Sequence, residues 1–552
     1  MQNKRKTLGT GKLSRKTEYP ACSGFFYDVL EKLTSDRKNI VLAVLSGLLL
    51  TGSFPKIEID WLSWFALVPL LYALKELSPK GSFRIGFIAG LVHFLSLLYW
   101  LVPVMRTYGY LPWYLSISIL FLFSAVLALF IALFSMILTG LGKKPIRCLA
   151  IMPPVWVSLE YIRTFIFSGF PWELLGYSQF GRLQLIQISD IFGVYGVSFL
   201  IALSNVSIFI TLLYFTKRRW QNSAISRYLA ALSLIGLAIG IGLTWAYGLW
   251  RLNSIDQLIA ASPKAQITVV QGNIEQLVKW DPAFQAATVK KYNRLSLSAK
   301  PDNPDLVIWP ESATPFYFLY EIKPSEMVME GIHRVNTDFI IGSPSFVRKN
   351  NNVEYYVSAY LVSPQNKAIS RYDKTHLVPY GEYVPFKKWL PFLGKIVAQV
   401  GDFVPGERGK TIPWRDDGLG IQICYEIIFP ELSRAMAKNN ATLLINITND
   451  AWFGKTSGPY QHFSMTVFRA VENRRALARS ANTGISGFID PAGRILASTP
   501  LLEEAVITQS LPLMNEKSLY TRFGDWFAQI CLTVVLCITL FTAVKFAIRL
   551  RK

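Results

Sequence analysis

The chain has 552 residues, of which 51% are hydrophobic and 17% charged, with a mean hydropathy of +0.31. Soluble domains carry roughly 25% charged residues, so this composition excludes a disordered chain and argues against one that is soluble throughout. The net charge of +21, from 57 Lys+Arg against 36 Asp+Glu, suits either anionic lipid or nucleic acid, and the placement of the cations separates the two.

Residues 1–38 form a basic arm with Lys4, Arg5, Lys6, Lys12, Arg15, Lys16, Arg37 and Lys38. Long apolar runs then extend from about Ile40 to Trp250 and again from Trp526 to Ile548. A spanning helix needs roughly 20 mostly apolar residues. Spans are expected near 39–56, 61–76, 85–105, 112–140, 148–167, 191–215, 228–250 and 526–548; the first two also suit half-length or re-entrant segments. Leu111–Leu141 contains no charged residue, which a soluble core helix of that length would not tolerate. The long polar arm ahead of the first run predicts an uncleaved signal anchor rather than a cleaved leader, and Cys22 has no apolar stretch before it that would make it a lipid-attachment site.

Loop charges give the expected topology. Even-numbered loops carry ten cations: Lys75, Lys80, Arg84, Lys143, Lys144, Arg147, Lys217, Arg218, Arg219 and Arg227. Odd-numbered loops carry three, Lys56, Arg106 and Arg182. Both termini are therefore expected in the cytoplasm. The chain divides into the arm 1–38, a membrane bundle of about seven helices over 39–250, an extracytoplasmic domain over 251–525, and a last helix with a basic tail over 526–552. The cations flank spans rather than form one face, so lipid and topology explain them and no nucleic-acid partner is expected.

Within 251–525 the pattern changes to short β-branched runs broken by Pro and Gly. Strands are predicted at Gln266–Asn273, Asp305–Trp309, Phe339–Gly342, Tyr355–Val362, Leu419–Cys424, Leu443–Ile447, Ala481–Asp490 and Arg494–Ser498. Helices are predicted at Phe429–Lys438 and Tyr460–Arg479. This alternation implies an α/β domain. Five scattered cysteines and four histidines without ligand spacing argue against a disulfide framework or a metal site,, and no cofactor is expected.

Three reactive side chains fall just past strand ends, where scaffolds carry catalytic groups. Glu311 lies in WPES, Lys374 in DKTHLVPYGEYVP, and Cys424 in CYE at a strand-to-helix turn. A thiol there can act as a nucleophile if a carboxylate takes its proton and an ammonium meets the developing charge. His376 is an alternative base, and His462 reads as structural. Glu160 and Arg163, three apart on one helix, read as an ion pair, with lipid headgroup contact as the alternative; Glu173 is a further ionisable group at membrane depth,.

These three motifs, separated by 63 and 50 residues, resemble the Glu–Lys–Cys triad of the nitrilase (carbon–nitrogen hydrolase) superfamily. With QGNIEQLVKWDP, VPGER, NDAWFG and FPWELLGYSQ alongside the apolar helices, the chain resembles the apolipoprotein N-acyltransferase family over roughly residues 40–548. It departs in its long basic arm and between Phe316 and His333. The resemblance implies a multi-pass α-helical membrane bundle carrying an extracytoplasmic nitrilase-like αββα sandwich. It implies Glu311 as general base, Lys374 as oxyanion stabiliser and Cys424 as nucleophile, supported by Glu382, Tyr425, Glu426 and Trp280. Trp452, Phe453 and the segment Trp389–Phe403 are candidates for a lipid gate that excludes water.

The implied reaction is a ping-pong acyl transfer in the bacterial inner membrane, with the catalytic domain in the periplasm. The acyl chain would pass from the sn-1 position of a phospholipid, phosphatidylethanolamine by the resemblance, through a Cys424 thioester to the α-amine of a diacylglyceryl-apolipoprotein. Carrying an acyl chain through water instead would cost about 0.8 kcal/mol per CH₂. A membrane-tethered C–N hydrolase (amidase) for a small substrate is the second reading, and a non-catalytic carrier with a decayed domain the third. Eight spans argue against the former and an intact Glu311, Lys374 and Cys424 against the latter.

Overall fold

A proline opens four of the helices and a serine or aspartate caps several. Pro is tolerated at the first helical position because its missing N–H would have no partner there. Ser78 Oγ accepts from Gly81 N ahead of Pro79, and an Asp281 carboxylate oxygen from Ala283 N ahead of Pro282. The computed structural model describes residues 22–349, 352–365, 368–384 and 402–550. The arm cations up to Lys16, residues 385–401 and the last two tail residues lie outside them.

The apolar half folds into α1 (Cys22–Gly52), α2 (Val68–Leu74), α3 (Pro79–Leu97), α4 (Leu101–Thr107), α5 (Trp113–Leu141), α6 (Pro145–Phe165), α7 (Val194–Phe215) and α8 (Arg227–Ala261). Among the described residues four helices are long and apolar enough to cross a membrane: α5, α7, α8 and the C-terminal helix. The pair α3–α4, bent by 51°, makes a fifth if it is one span. The stretch at 61–76 takes its half-length alternative, a 3₁₀ turn, Asp60–Trp64, followed by the seven-residue α2. At 1.5 Å per residue α2 reaches only about 10 Å, against a hydrocarbon core of about 30 Å. The spans expected at 39–56 and 148–167 coincide with parts of α1 and α6, but α6 carries Arg147, Glu160 and Arg163 and falls short of the apolarity of the others.

Helix α8 has 35 residues and so measures about 52 Å. It outruns the bilayer, and its far end packs Leu252 and Ile255 on Ala492 of the α/β domain. That domain holds strands β1 (Lys264–Gln271), β2 (Leu306–Ile308), β3 (Asp338–Lys349), β4 (Asn352–Val362), β5 (Ala368–Asp373), β6 (Ile412–Trp414), β7 (Asp417–Ile423), β8 (Leu443–Thr448), β9 (Ala476–Ala481), β10 (Gly487–Ile489), β11 (Ile495–Ser498) and β12 (Ala505–Pro512). They form two six-stranded sheets, ordered β12-β1-β2-β3-β4-β5 and β11-β10-β9-β8-β7-β6. Helices α9 (Pro282–Ser298) and α10 (Ile322–Val335) cover the first; α11 (Pro430–Lys438) and α12 (Gly458–Asn473) cover the second, and α13 (Trp526–Leu550) returns to the bundle.

Strand periodicity explains the layering. Ile267, Val269, Leu306, Ile308 and Ile340 join the core shared with Ile421, Ile423 and Ile445 of the other sheet. Their neighbours Val270, Val307, Trp309, Phe339 and Ile341 pack instead with Val289, Tyr292, Val328 and Ile332 of α9 and α10. Successive residues of a strand point to opposite faces, so each β-branched run supplies two cores, and the result is the αββα sandwich. Every residue of α12 except Tyr460 is buried, because the helix lies between the second sheet and the membrane bundle.

The helix expected at Tyr460–Arg479 ends at Asn473, where Arg474 takes a left-handed φ of 53°. Ala476–Ala481 then pairs parallel with Leu443–Thr448 as β9. The strand expected at Ala481–Asp490 shortens to Gly487–Ile489. An alanine-rich helix-like pattern is overridden here by the ladder that β8 offers.

Candidate active site

Strand β7 ends at Ile423, and Cys424 opens a 3₁₀ turn, Cys424–Ile428, with φ of 54°. A non-glycine residue held there costs about 1–3 kcal/mol unless its surroundings enforce it. Glu426 does the enforcing. Its buried carboxylate accepts from Ile423 N at 2.6 Å, Thr375 N at 2.6 Å, Thr375 Oγ1 at 2.8 Å, His376 N at 3.0 Å and Tyr372 Oη at 3.0 Å. One side chain therefore ties the cysteine turn to the loop that begins at Lys374. Burial pushes the half-buried Cys424 thiol up, and the Glu311 carboxylate pushes it the same way while Lys374 opposes. The thiol needs a base to react.

Glu311 follows β2 across Pro310. A Cβ at Gly342 of β3 would stand 2.4 Å from the Pro310 carbonyl oxygen and 2.7 Å from Glu311 Cα, so only glycine lets this turn rest on the neighbouring strand. Glu311 Oε2 accepts from Asn449 N at 3.0 Å, and Oε1 lies 3.5 Å from Lys374 Nζ. Lys374 is buried and donates to Glu382 Oε1 at 2.6 Å. The other Glu382 oxygen accepts from Val378 N at 2.8 Å. Burial alone would lower Lys374, but Glu382 and Glu311 outweigh it and hold the ammonium above its ordinary value. Burial raises Glu382, against the pull of Lys374. The structure thus brings Glu311, Lys374, Glu382, Cys424 and Glu426 together.

The remaining candidates are spread more widely. Tyr425 packs its ring on Phe429 and His376. His376 stacks on Phe429 with centroids 3.8 Å apart, and burial lowers it to about 4. Trp280 is 48% exposed on the surface beside the site. Trp452 keeps 38% exposure and meets the Tyr108 ring of the membrane bundle. Phe453 packs inward against Trp100, Trp172 and His462. Of the segment Trp389–Phe403, residues 389–401 lie outside the described residues.

Sequence reasoning missed several residues. His462, which reads as structural from the sequence, reaches the cysteine turn. It donates Nε2–H to the Cys424 carbonyl at 3.2 Å, while Nδ1 faces Asp450 and Arg479. Burial and Arg479 lower His462, and Arg479 with His462 overcomes burial to hold Asp450 well below the carboxylate range. Gln461 accepts from Trp100 Nε1 at 3.0 Å and Trp172 Nε1 at 2.8 Å and donates to the Pro55 carbonyl at 3.0 Å, locking α12 to the bundle. Lys279, whose neighbour Trp280 was singled out, is buried and donates to the Glu311 carbonyl at 3.1 Å.

The expected Glu160–Arg163 ion pair is absent: among the described residues no carboxylate lies within 4.0 Å of Arg163, whose guanidinium stands over Phe94 at 5.3 Å. Glu160 instead accepts from Trp156 Nε1 at 3.0 Å and Leu175 N at 2.6 Å. A backbone N–H and an indole, both supplied by the fold, hold its Oε1 in place of the guanidinium, while Oε2 is buried without a hydrogen-bond partner among the described residues.

A thiol, three carboxylates and an ammonium gathered at one half-buried turn can carry acyl transfer through a covalent thioester. Residues 46–207 match the family of the apolipoprotein N-acyltransferase N-terminal domain, and residues 266–519 match the carbon-nitrogen hydrolase family. The chain is 45% identical over 496 residues to apolipoprotein N-acyltransferase of Geobacter metallireducens, covering 90% of this chain and 93% of that one. It is 30% identical over 551 residues to the enzyme of the same name from Chlorobaculum tepidum, covering 95% and 99%. Among solved structures, an amidase from Nesterenkonia sp. is 20% identical and covers 46% of this chain and 91% of its own, with a TM-score of 0.34.

Proposed function

We infer, because the chain belongs to the apolipoprotein N-acyltransferase family, that it transfers an acyl chain from a phospholipid to the amino-terminal S-diacylglyceryl-cysteine of lipoproteins, the last step of bacterial lipoprotein maturation. Cys424 is the nucleophile, Glu311 the base and Lys374 the oxyanion stabiliser. Glu311 takes the thiol proton, Sγ attacks the sn-1 ester carbonyl, and the proton passes to the departing lysophospholipid oxygen. The acceptor amine then attacks the thioester, loses a proton to Glu311, and the thiolate recovers it. Phosphatidylethanolamine is the proposed donor, on family likeness. The excess of Lys and Arg in the even loops supports an inner-membrane location with the catalytic domain in the periplasm,.

The observation that carries this reading is the meeting of Glu311, Lys374 and Cys424 beside a helix wedged onto the membrane bundle. That wedge favours a membrane-borne substrate over the small one of a tethered hydrolase, for which a single anchoring helix would serve.

Purified protein given labelled phospholipid alone should retain hydroxylamine-sensitive label, and adding a diacylglyceryl peptide should discharge it as an amide. Cys424→Ala should do neither; normal turnover by that variant overturns the mechanism. A reporter active only outside the cytoplasm should work when fused after residue 260 and fail after Arg219.

A further inference from the structure

The turn Gln276–Lys279 reaches Glu311 from two directions. Lys279 Nζ donates to the Glu311 backbone carbonyl at 3.1 Å. Gln276 Oε1 accepts from Asn449 Nδ2 at 2.6 Å, and Asn449 N in turn donates to Glu311 Oε2 at 3.0 Å. Trp280, the next residue, is exposed, whereas Lys279 is fully buried. Placing an ammonium out of water against one neutral carbonyl is unfavourable unless negative charge stands close by. That charge is supplied by Glu311 and by Cys424 when it ionises, the two groups whose fields act on Lys279.

The charge balance of the site makes the point sharper. Lys374 is held on Glu382 at 2.6 Å, which leaves Glu311 without a matched cation unless Lys279 is counted. Glu311, Glu382, Lys374 and Lys279 then sum to zero, while the Glu426 carboxylate is held separately by its five N–H and O–H donors. Moving the Cys424 proton to Glu311 leaves that sum unchanged, so the thiolate forms without a new unbalanced buried charge. A further charge near the thiol, Asp450, is matched by Arg479 at 2.7 Å and accepts from Thr448 Oγ1 at 2.9 Å.

We propose that Lys279 is a positioning residue of the acyl transfer, fixing the Glu311 turn and serving as the counter-cation of the Glu311–Cys424 pair. This rests on the roles given above to Glu311 and Cys424. Burial brings Lys279 down to about 8 against the opposing fields of Glu311 and Cys424, so it is charged at neutral pH and loses its influence above that.

The test reads the thiol directly. Full-length wild type, Lys279→Gln, Lys279→Met and Lys279→Arg in nanodiscs are treated with iodoacetamide from pH 6 to 9.5, and modification of the Cys424 peptide is followed by mass spectrometry. An opposite charge nearby shifts a pKa by about 1 unit or more, so at pH 7, where Lys279 is charged, Met and Gln should both slow the reaction about tenfold. Arg should keep the wild-type rate, and the gap should narrow above about pH 8. Gln retains a donor for the Glu311 carbonyl without the charge. A wild-type rate in Gln at pH 7 reduces Lys279 to a tether, and a Met rate lowered by the same factor at every pH leaves only a packing role; either result overturns the proposal. Neither bears on thioester formation from phospholipid, which tests the acyltransferase mechanism separately.

Discussion

Lys374 Nζ lies 2.6 Å from Glu382 Oε1, a charge-assisted contact short enough to fix the ammonium in one place. The pair explains why two carboxylates flank one lysine. Glu382 orients and keeps Lys374 charged, and Glu311, 3.5 Å away from the same nitrogen, remains free to exchange a proton.

Exchanging these roles experimentally should give opposite pH behaviour. Removing a general base typically costs about 10²–10⁴ in rate, and an oxyanion donor about 10²–10³. Glu311→Gln should lose acylation in that range and regain part of it as pH rises, since hydroxide then generates the thiolate. Lys374→Met should stay low at every pH. Thioester formation measured from pH 6 to 10 separates the two, and recovery of the lysine variant alone would reverse the assignment.

Glu426 should prove as necessary as the triad although it need not touch substrate. Glu426→Gln turns one acceptor oxygen into a donor facing the N–H and O–H groups of Ile423, Tyr372, Thr375 and His376. Each buried group left unpaired costs about 1–3 kcal/mol. Thioester formation should fall at least tenfold, and hydrogen exchange at the Thr375 and His376 amides should speed up. Unchanged exchange would mean the loop is held by something else.

Phe453 should control what attacks the thioester. Its ring closes on Trp100, Trp172 and His462, and an opening there admits water to the thioester. Phe453→Ala should raise the ratio of free fatty acid released to amide formed several-fold, while Phe453→Leu, which refills the space, should stay close to wild type. Equal ratios in all three would remove Phe453 from the seal.

His462 sets an acid limit on stability. Burial and Arg479 hold its folded value below the unfolded one of about 6.5,. Below that pH the unfolded chain binds the extra proton, so the neutral imidazole contributes stability above about 6.5 and loses it as pH falls. Glu382 and Glu426, raised by burial, act in the opposite sense, so the comparison must be between variants. The melting temperature of wild type relative to His462→Gln should drop between pH 7.5 and 5.5. A constant difference would show that His462 carries its proton throughout.

Much of this molecule is legible along the chain because its signals are local. The uncharged run Leu111–Leu141 can only be α5, and β-branched alternation in Gln266–Asn273 already predicts the strand that forms at Lys264–Gln271. The motifs around Glu311, Lys374 and Cys424 mark residues that do meet. Periodicity misjudged 460–479 because an alanine-rich stretch suits helix or strand, and pairing with β8 decides it.

Composition and local motifs specify the class of the protein: apolar helices, an α/β domain between two apolar regions, and a thiol, carboxylate and lysine at strand ends. Tertiary structure decided what makes those three groups a site. Glu426 holds the lysine loop from 51 residues away, Lys279 reaches Glu311 across 32, and Gln461 clamps bundle to domain across 361. The CYE motif marks Glu426 but not what it holds, and neither Lys279 nor Gln461 carries a local signal. A buried polar group takes whichever partner the fold brings within hydrogen-bond distance, and chain separation leaves no trace of that in composition or period.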